Sequence, residues 1–249
     1  MSTLCKHIFN IKSCSLTVTK FLITSGSPKS KAVKSEVIDL GQSGNKQCPD
    51  WPNFPSIVEG ATGSLISGKP TICGGSYPYT DICFVILNSE SQFLTNMKTT
   101  REFAASSQQE DYLWISGGYD GDNFLSSTEK IHSDGRAIPG PEMPLPLRLH
   151  AMVKINENLT LIIGGRSPGN SASKRTFYYN HKTSEWSDGP ELKVGRRYLA
   201  AGIVTDDVTK EEFVVVSGGY DGSNSLKSTV VLMDDKWTLG KNEIPLKIF

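Results

Sequence analysis

Long apolar runs are missing from this chain. Those present, such as FVVV, TLII and FVIL, are of strand length, and none approaches the ~20 residues a helix needs to cross a bilayer. A surplus of either charge is missing too: 26 basic and 26 acidic side chains cancel, and no block of like charge stands out. Without such a field, neither nucleic acid nor an anionic membrane surface is an expected partner, and membrane insertion is not expected. Lys6, Lys12 and Lys20 interrupt the N-terminal stretch, so no continuous apolar signal segment is legible there.

Catalytic and metal-binding signatures are equally scarce. The histidines, His7, His132, His150 and His181, share no close ligand spacing. H-E-x-x-H, paired C-x-x-C and Gly-rich phosphate loops are all absent from the sequence. The expectation is a protein without metal, cofactor or catalytic residues.

What the sequence does hold is a repeat. A strand-like run ending in paired glycines recurs as PTICGG (70–75), YLWISGG (112–118), LTLIIGG (159–165) and FVVVSGG (213–219), with FLITSG (21–26) as a weaker copy. The second glycines fall 49, 43, 47 and 54 residues apart, counting from Gly26. GGYDGDNFLSST (117–128) and GGYDGSNSLKST (218–229) are near-copies two repeats apart. Self-similarity at this period is the mark of a repeat architecture.

Each repeat reads as four short strands. The first carries small residues (ATGSLIS, AMVKIN, AAGIVT) and the second is the run before the glycines. An Asp-Gly turn follows at 120–121 and 221–222, suited to positive φ. The third is β-branched or aromatic (SEVIDL, DICFVIL, RTFYYN, STVVLM). The fourth holds Trp51, Phe93, Trp186 or Trp237, and only RAIPGPEMP in the third repeat. The glycine pairs precede another strand, so no helix N-terminus is on offer to a phosphate.

An apolar strand, a double glycine, often a tyrosine, then a tryptophan about twenty residues on resembles the Kelch repeat, whose period is ~50 residues. The resemblance covers residues 11–249 and implies an all-β, Kelch-type β-propeller of about five four-stranded blades. The blades fall roughly at 11–57, 58–100, 101–147, 148–196 and 197–249, with residues 1–10 as an extension or closing strand. The chain stops where a sixth repeat would open, so the ring is either five-bladed or a six-bladed one lacking a blade. The paired glycines (Gly74, Gly75, Gly117, Gly118, Gly164, Gly165, Gly218, Gly219) read as structural, allowing close approach around the axis. Trp51, Phe93, Trp186 and Trp237 read as aromatics that lock one blade to the next.

Function follows from family habit and loop geometry. Loops on a rigid scaffold carry most binding residues. The resemblance implies a protein-binding face lined by arginines that open repeats, here Arg101, Arg148 and Arg197 in the R-x-x-A segments REFA, RLHA and RYLA. The bland reading of these arginines is a hydrogen-bonding role between blades. Tyr119, Asp120, Tyr220 and Asp221 follow the glycines and join the same set; Arg166 replaces the tyrosine in the fourth repeat, and Ser76-Tyr77 shifts it by one in the second. The expected function is a non-catalytic interaction module with a protein partner. A substrate-receptor fragment of a cullin ubiquitin-ligase adaptor is one version of it. The competing class is a propeller enzyme, galactose-oxidase-like or sugar-processing, which would need a His/Tyr/Cys cluster at the channel mouth.

Cys73 and Cys83 fall on strands expected to be neighbours, so either a disulfide or two buried thiols fits them. Cys5, Cys14 and Cys48 have no evident partner. Asn158-Leu159-Thr160 is a glycosylation sequon. The cysteine register and the sequon point to an extracellular setting, whereas the missing signal segment points to the cytoplasm.

Overall fold

The computed structural model describes residues 12–15, 20–24, 35–39, 50–51, 59–76, 78–87, 90–206 and 209–240, with side chains from Glu59 onward. The side chains of Cys14 and Trp51, all of Cys5, Cys48 and Tyr77, and the segments 1–10 and 241–249 lie outside the described residues. Among the described residues no helix is long and apolar enough to cross a membrane.

Among the described residues twenty strands form five separate four-stranded antiparallel sheets, each a simple meander. Blade one is β1 (Lys12–Ser15), β2 (Lys20–Thr24), β3 (Ser35–Asp39) and β4 (Asp50–Trp51). Blade two is β5 (Thr62–Ile66), β6 (Lys69–Cys73), β7 (Ile82–Leu87) and β8 (Glu90–Asn96). Blade three is β9 (Ala105–Gln108), β10 (Tyr112–Ser116), β11 (Thr128–His132) and β12 (Ala137–Pro139). Blade four is β13 (Ala151–Asn156), β14 (Leu159–Ile163), β15 (Thr176–Asn180) and β16 (Glu185–Asp188). Blade five is β17 (Ala200–Thr205), β18 (Glu212–Ser217), β19 (Thr229–Met233) and β20 (Lys236–Leu239). The first strands pack against one another in chain order, β1 on β5, β5 on β9, β9 on β13 and β13 on β17.

In blades two to four the second strand is buried at four consecutive positions and is mostly apolar, because both of its faces are covered, as in any sheet sandwiched between layers. Side chains alternate across a strand, so neighbours on β10 serve different interfaces. Leu113 and Ile115 pack with Ile66, Cys73 and Cys83 of blade two, whereas Trp114 packs with Ile162, Phe177 and Tyr179 of blade four. On β14, Leu161 and Ile163 turn the other way, toward Val214, Val216 and Trp237 of blade five. The core is therefore a series of interblade layers.

The double glycines are where one blade docks on the next. The N–H of Gly75 donates to the Arg101 carbonyl at 2.7 Å, Gly118 to Leu147 at 2.8 Å and Gly165 to Arg196 at 2.7 Å. The first glycine of each of these three pairs has no room for a Cβ, since that same carbonyl lies against it, and its φ is positive (69° at Gly74, 59° at Gly117, 63° at Gly164). The glycines thus do more than relieve crowding; they hold a hydrogen bond between blades.

The aromatic slot is less uniform than its sequence suggests. Trp237 is buried and its indole N–H donates to the Pro190 carbonyl of blade four at 2.8 Å. Trp186 lies 5.9 Å, centre to centre, from Trp114 of blade three. Phe93 departs from the expectation: it is 61% exposed and locks nothing. A register shift between Cys83 and Phe84 turns β8 relative to β7, and Leu94 packs on the core instead.

Cys73 and Cys83 stand opposite each other on β6 and β7 and are joined by a disulfide. Both are shut off from water.

Candidate functional site

In blades two to five the chain approaches the first strand through a short segment at one end of the propeller, and these segments are linked blade to blade. The Phe103 N–H donates to the Gly60 carbonyl (2.7 Å), Leu149 to Phe103 (2.9 Å) and Tyr198 to Leu149 (3.1 Å). All four residues sit in the left-handed region, with φ of 67°, 53°, 60° and 57° in chain order. Three of them are not glycine, so the collar holds side chains in a conformation they rarely adopt.

The residue before each collar position bridges to the residue after the double glycine: Glu59 to Ser76, Glu102 to Tyr119, Arg148 to Arg166 and Arg197 to Tyr220. These pairs set the mouth of the channel. Ser76 therefore takes the tyrosine position of blade two directly.

This geometry corrects the alignment of the three arginines. Arg148 and Arg197 are equivalent to Glu102, and Arg101 falls one place earlier, level with Leu147 and Arg196. Arg101 is 1% exposed and does not reach the mouth. Its Nη1 donates to the carbonyls of Gly117 and Ser127, both at 2.8 Å, and its Nη2 donates to Ser127 Oγ and Glu129. Burial lowers its pKa, and Glu129 opposes that shift. Arg196 repeats the arrangement in blade five, reaching the carbonyls of Gly218 and Ser228 and Ser228 Oγ. At this position the hydrogen-bonding role is the right one.

Arg148 and Arg197 are at the mouth, and so is Arg166. The Arg148 guanidinium lies 4.7 Å from the centre of the Tyr119 ring and 4.9 Å from that of Phe124, while its Nη1 reaches Glu102 at 3.4 Å. Arg166 lies 5.7 Å from Phe124. Arg197 lies over Tyr220 at 5.0 Å and Tyr198 at 5.8 Å. Such stacking orients a guanidinium without consuming its hydrogen-bond donors. Tyr198 is 52% exposed and meets Phe103 edge-on across the collar, at 6.1 Å. The Glu102 carboxyl is raised by burial, against the pull of Ser76 and Arg148.

Asp120 and Asp221 belong to the loops beside this mouth, but their carboxylates serve the loops themselves. Asp120 Oδ1 accepts the N–H groups of Asp122 and Asn123, and Asp221 Oδ1 those of Ser223 and Asn224. These hydrogen bonds hold both acids below their usual pKa. Through Oδ1 they shape the loop.

The first strands of blades two to five line an open cavity of about 730 Å³, with Ser64, Ser106, Gln108, Lys154 and Gly202 among its walls. Asn158 is exposed in the β13–β14 turn, while Thr160 of the same sequon is buried with His181 on its hydroxyl at 2.9 Å. Among the described residues no three His, Cys, Asp or Glu side chains converge as a metal site would require.

Comparison with known proteins agrees with the architecture. The solved structure of YjhT superposes with a TM-score of 0.76 at 13% identity, over 95% of this chain and 84% of that one. No family model matches the sequence. Kelch-like protein 41b of Danio rerio is 34% identical over 98 residues, 39% of this chain and 15% of that protein. Spermatocyte protein spe-26 of Caenorhabditis elegans is 30% identical over 115 residues, 45% of this chain and 19% of that protein. The chain thus spans less than a fifth of the length of these curated relatives. The fold is an all-β propeller. The repeats resemble Kelch repeats, and part of the chain shares distant similarity with Kelch-like proteins.

Proposed function

We propose that the chain is a non-catalytic protein-interaction propeller and that the mouth formed by blades three to five is its binding face. The observation that carries this reading is the cluster of Arg148, Arg166 and Arg197 laid over Tyr119, Phe124 and Tyr220, with Tyr198 exposed beside it. Arginine and tyrosine are enriched at the hot spots of protein interfaces, tyrosine because it covers much area while losing little freedom and arginine because its planar fork pairs bidentately. The collar and the double-glycine hydrogen bonds hold the cluster on a rigid base, which lowers the ordering cost of association.

The test is charge reversal on the intact chain. Immobilised protein is compared with an Arg148→Glu/Arg166→Glu/Arg197→Glu variant for capture of a partner from the native source. Both proteins are first checked for equal thermal unfolding. Loss of a specifically retained protein in the variant supports the reading. Retention of the same partners at the same level by both proteins would sink it.

A further inference from the structure

The β13–β14 turn carries an asparagine that its own fold does not call for. Asparagine is favoured in tight turns because it tolerates the left-handed backbone or because its side chain bonds the main chain nearby. Other hairpins of this propeller use the first device, with positive φ at Ser67 and Gly68 in the β5–β6 turn and at Asp234 and Asp235 in the β19–β20 turn. Asn158 uses neither. Its φ is not positive, and among the described residues no hydrogen bond engages its side-chain amide. Asn156 closes the turn instead, its Oδ1 accepting the Asn158 N–H at 2.9 Å. The Asn158 carbonyl accepts the His181 N–H at 2.8 Å. The backbone is thus pinned at both ends while the side chain stands exposed.

Asn158 opens the one Asn-x-Ser/Thr triplet in the chain. The third residue, Thr160, is fully buried, its hydroxyl held by His181 Nε2 at 2.9 Å and by Gln109 Nε2 at 3.5 Å. That hydroxyl, which the triplet requires, is accessible only before blade four folds. A second, independent observation bears on the compartment. Cys73 and Cys83 are joined by a disulfide shut off from water, and such bonds form and persist in the oxidising lumen of the secretory route. Asparagine glycosylation belongs to that same setting.

We infer that Asn158 is an N-glycosylation site, modified before blade four closes. The Asn158 amide nitrogen attacks the anomeric carbon of an N-acetylglucosamine carried on a lipid-diphosphate-linked oligosaccharide. The new N–C bond forms as the bond from that carbon to the diphosphate oxygen breaks; the lipid diphosphate leaves, and the amide proton passes to a base of the transferase. Nothing is oxidised or reduced. In the folded protein β13, six residues or about 20 Å long, separates the glycan from the collar. The sugar therefore stands beside Lys154 and Glu157 at the open cavity and leaves the mouth uncovered. This site is independent of the reading of the mouth as a protein-binding face.

Peptide mapping of the protein from its native source, before and after peptide-N-glycosidase, tests the site directly. The Asn158 peptide is expected to carry a glycan that the enzyme removes, leaving aspartate in its place. Recovery of that peptide wholly unmodified overturns the inference. Full chains sent through the secretory route of a eukaryotic cell behind a cleavable leader separate the triplet from its structural role. The parent and Thr160→Ser migrate as a glycosidase-sensitive form, whereas Asn158→Gln and Thr160→Ala lose that shift. Asn158→Gln keeps the thermal midpoint of the deglycosylated parent, because the Asn158 amide holds nothing in the fold. A glycan shift that persists in Asn158→Gln overturns the assignment. The order of events has its own readout: with solubilised transferase and its lipid-linked donor, the folded, unglycosylated chain takes up no sugar and the reduced, unfolded chain does. Equal modification of the two overturns the claim that burial of Thr160 closes the site.

Discussion

Arg101 and Glu129 face each other inside blade three, Nη2 to Oε1 at 3.0 Å, with side chains 0% and 3% exposed. Glu129 also accepts the backbone N–H groups of Lys98 (2.6 Å) and Thr99 (3.1 Å), so one carboxylate ties the segment leaving blade two to the arginine that opens blade three. Removing one member of such a pair leaves the other charge buried alone.

Glu129→Gln and Arg101→Ala are therefore each expected to lower unfolding stability by about 3–5 kcal/mol. The double variant should lose less than the sum, because each change alone strands the other partner. Denaturant titration of the four proteins measures the coupling. Strict additivity would show that the pair acts as two independent packing residues.

Most of the scaffold was legible because the repeat encodes it in period and composition. Sandwiched second strands need unbroken apolar runs, and blade docking needs glycine where the next carbonyl arrives. The mouth was harder to read, and REFA shows why. Ala104 and Ala105 both offer an anchor, but the residue opposite Ser116 on the strand pair is Ala105, which corresponds to Ala151 and Ala200. A one-residue slip exchanges the two faces of a segment. It turned a buried staple into an apparent surface arginine and hid Glu102, the residue that does reach the mouth. Arg196 was overlooked because alanine falls three residues after Arg197, not after Arg196, so the R-x-x-A motif passes it by. Phe124 lies in a loop that a pattern of strands does not constrain. Phe93 met the aromatic pattern and still points outward, since a register shift is invisible in composition.

Gly117→Ala should be far more damaging than Gly169→Ala, although both glycines have positive φ, 59° and 71°. At Gly169 nothing lies within 4 Å of an added Cβ, so the cost is the left-handed backbone alone, about 1–2 kcal/mol. At Gly117 the Cβ meets the Leu147 carbonyl, which cannot retreat without disturbing its 2.8 Å bond from Gly118. A loss of about 2–4 kcal/mol is expected there. Equal losses at the two sites would refute the docking role of the glycine pair.

The Cys73–Cys83 bond closes a loop with a sequence separation of 10. Constraining so short a loop in the unfolded chain is worth about 2–3 kcal/mol. The Cys73→Ala/Cys83→Ala variant should be less stable by that amount and insensitive to reductant, whereas the parent should fall toward it once reduced. Intact mass of the unfolded, alkylated protein counts the bond directly. Alkylation of every cysteine without prior reduction would show that it does not form.

His181 makes stability depend on pH in a predictable direction. Its Nε2 meets Thr160 Oγ1 at 2.9 Å, and its ring packs edge-on to Trp114 (5.1 Å) and Tyr179 (4.9 Å). Burial lowers its pKa below the ordinary 6.5, Lys130 and Lys154 lower it further, and Glu157 partly opposes them. As pH falls through 6.5 the unfolded chain takes up a proton that the native chain refuses. Stability from this group is thus complete above that value and declines as pH drops toward the native pKa, below which the decline ends. Urea titrations at about pH 7.5 and about pH 5.5, on either side of the ordinary histidine value, should show a lower midpoint at the acid end. His181→Asn keeps a hydrogen-bonding side chain beside Thr160 and removes the titrating ring, so its midpoint should move less between the two conditions. If the variant loses as much as the parent, the acid sensitivity belongs to other groups.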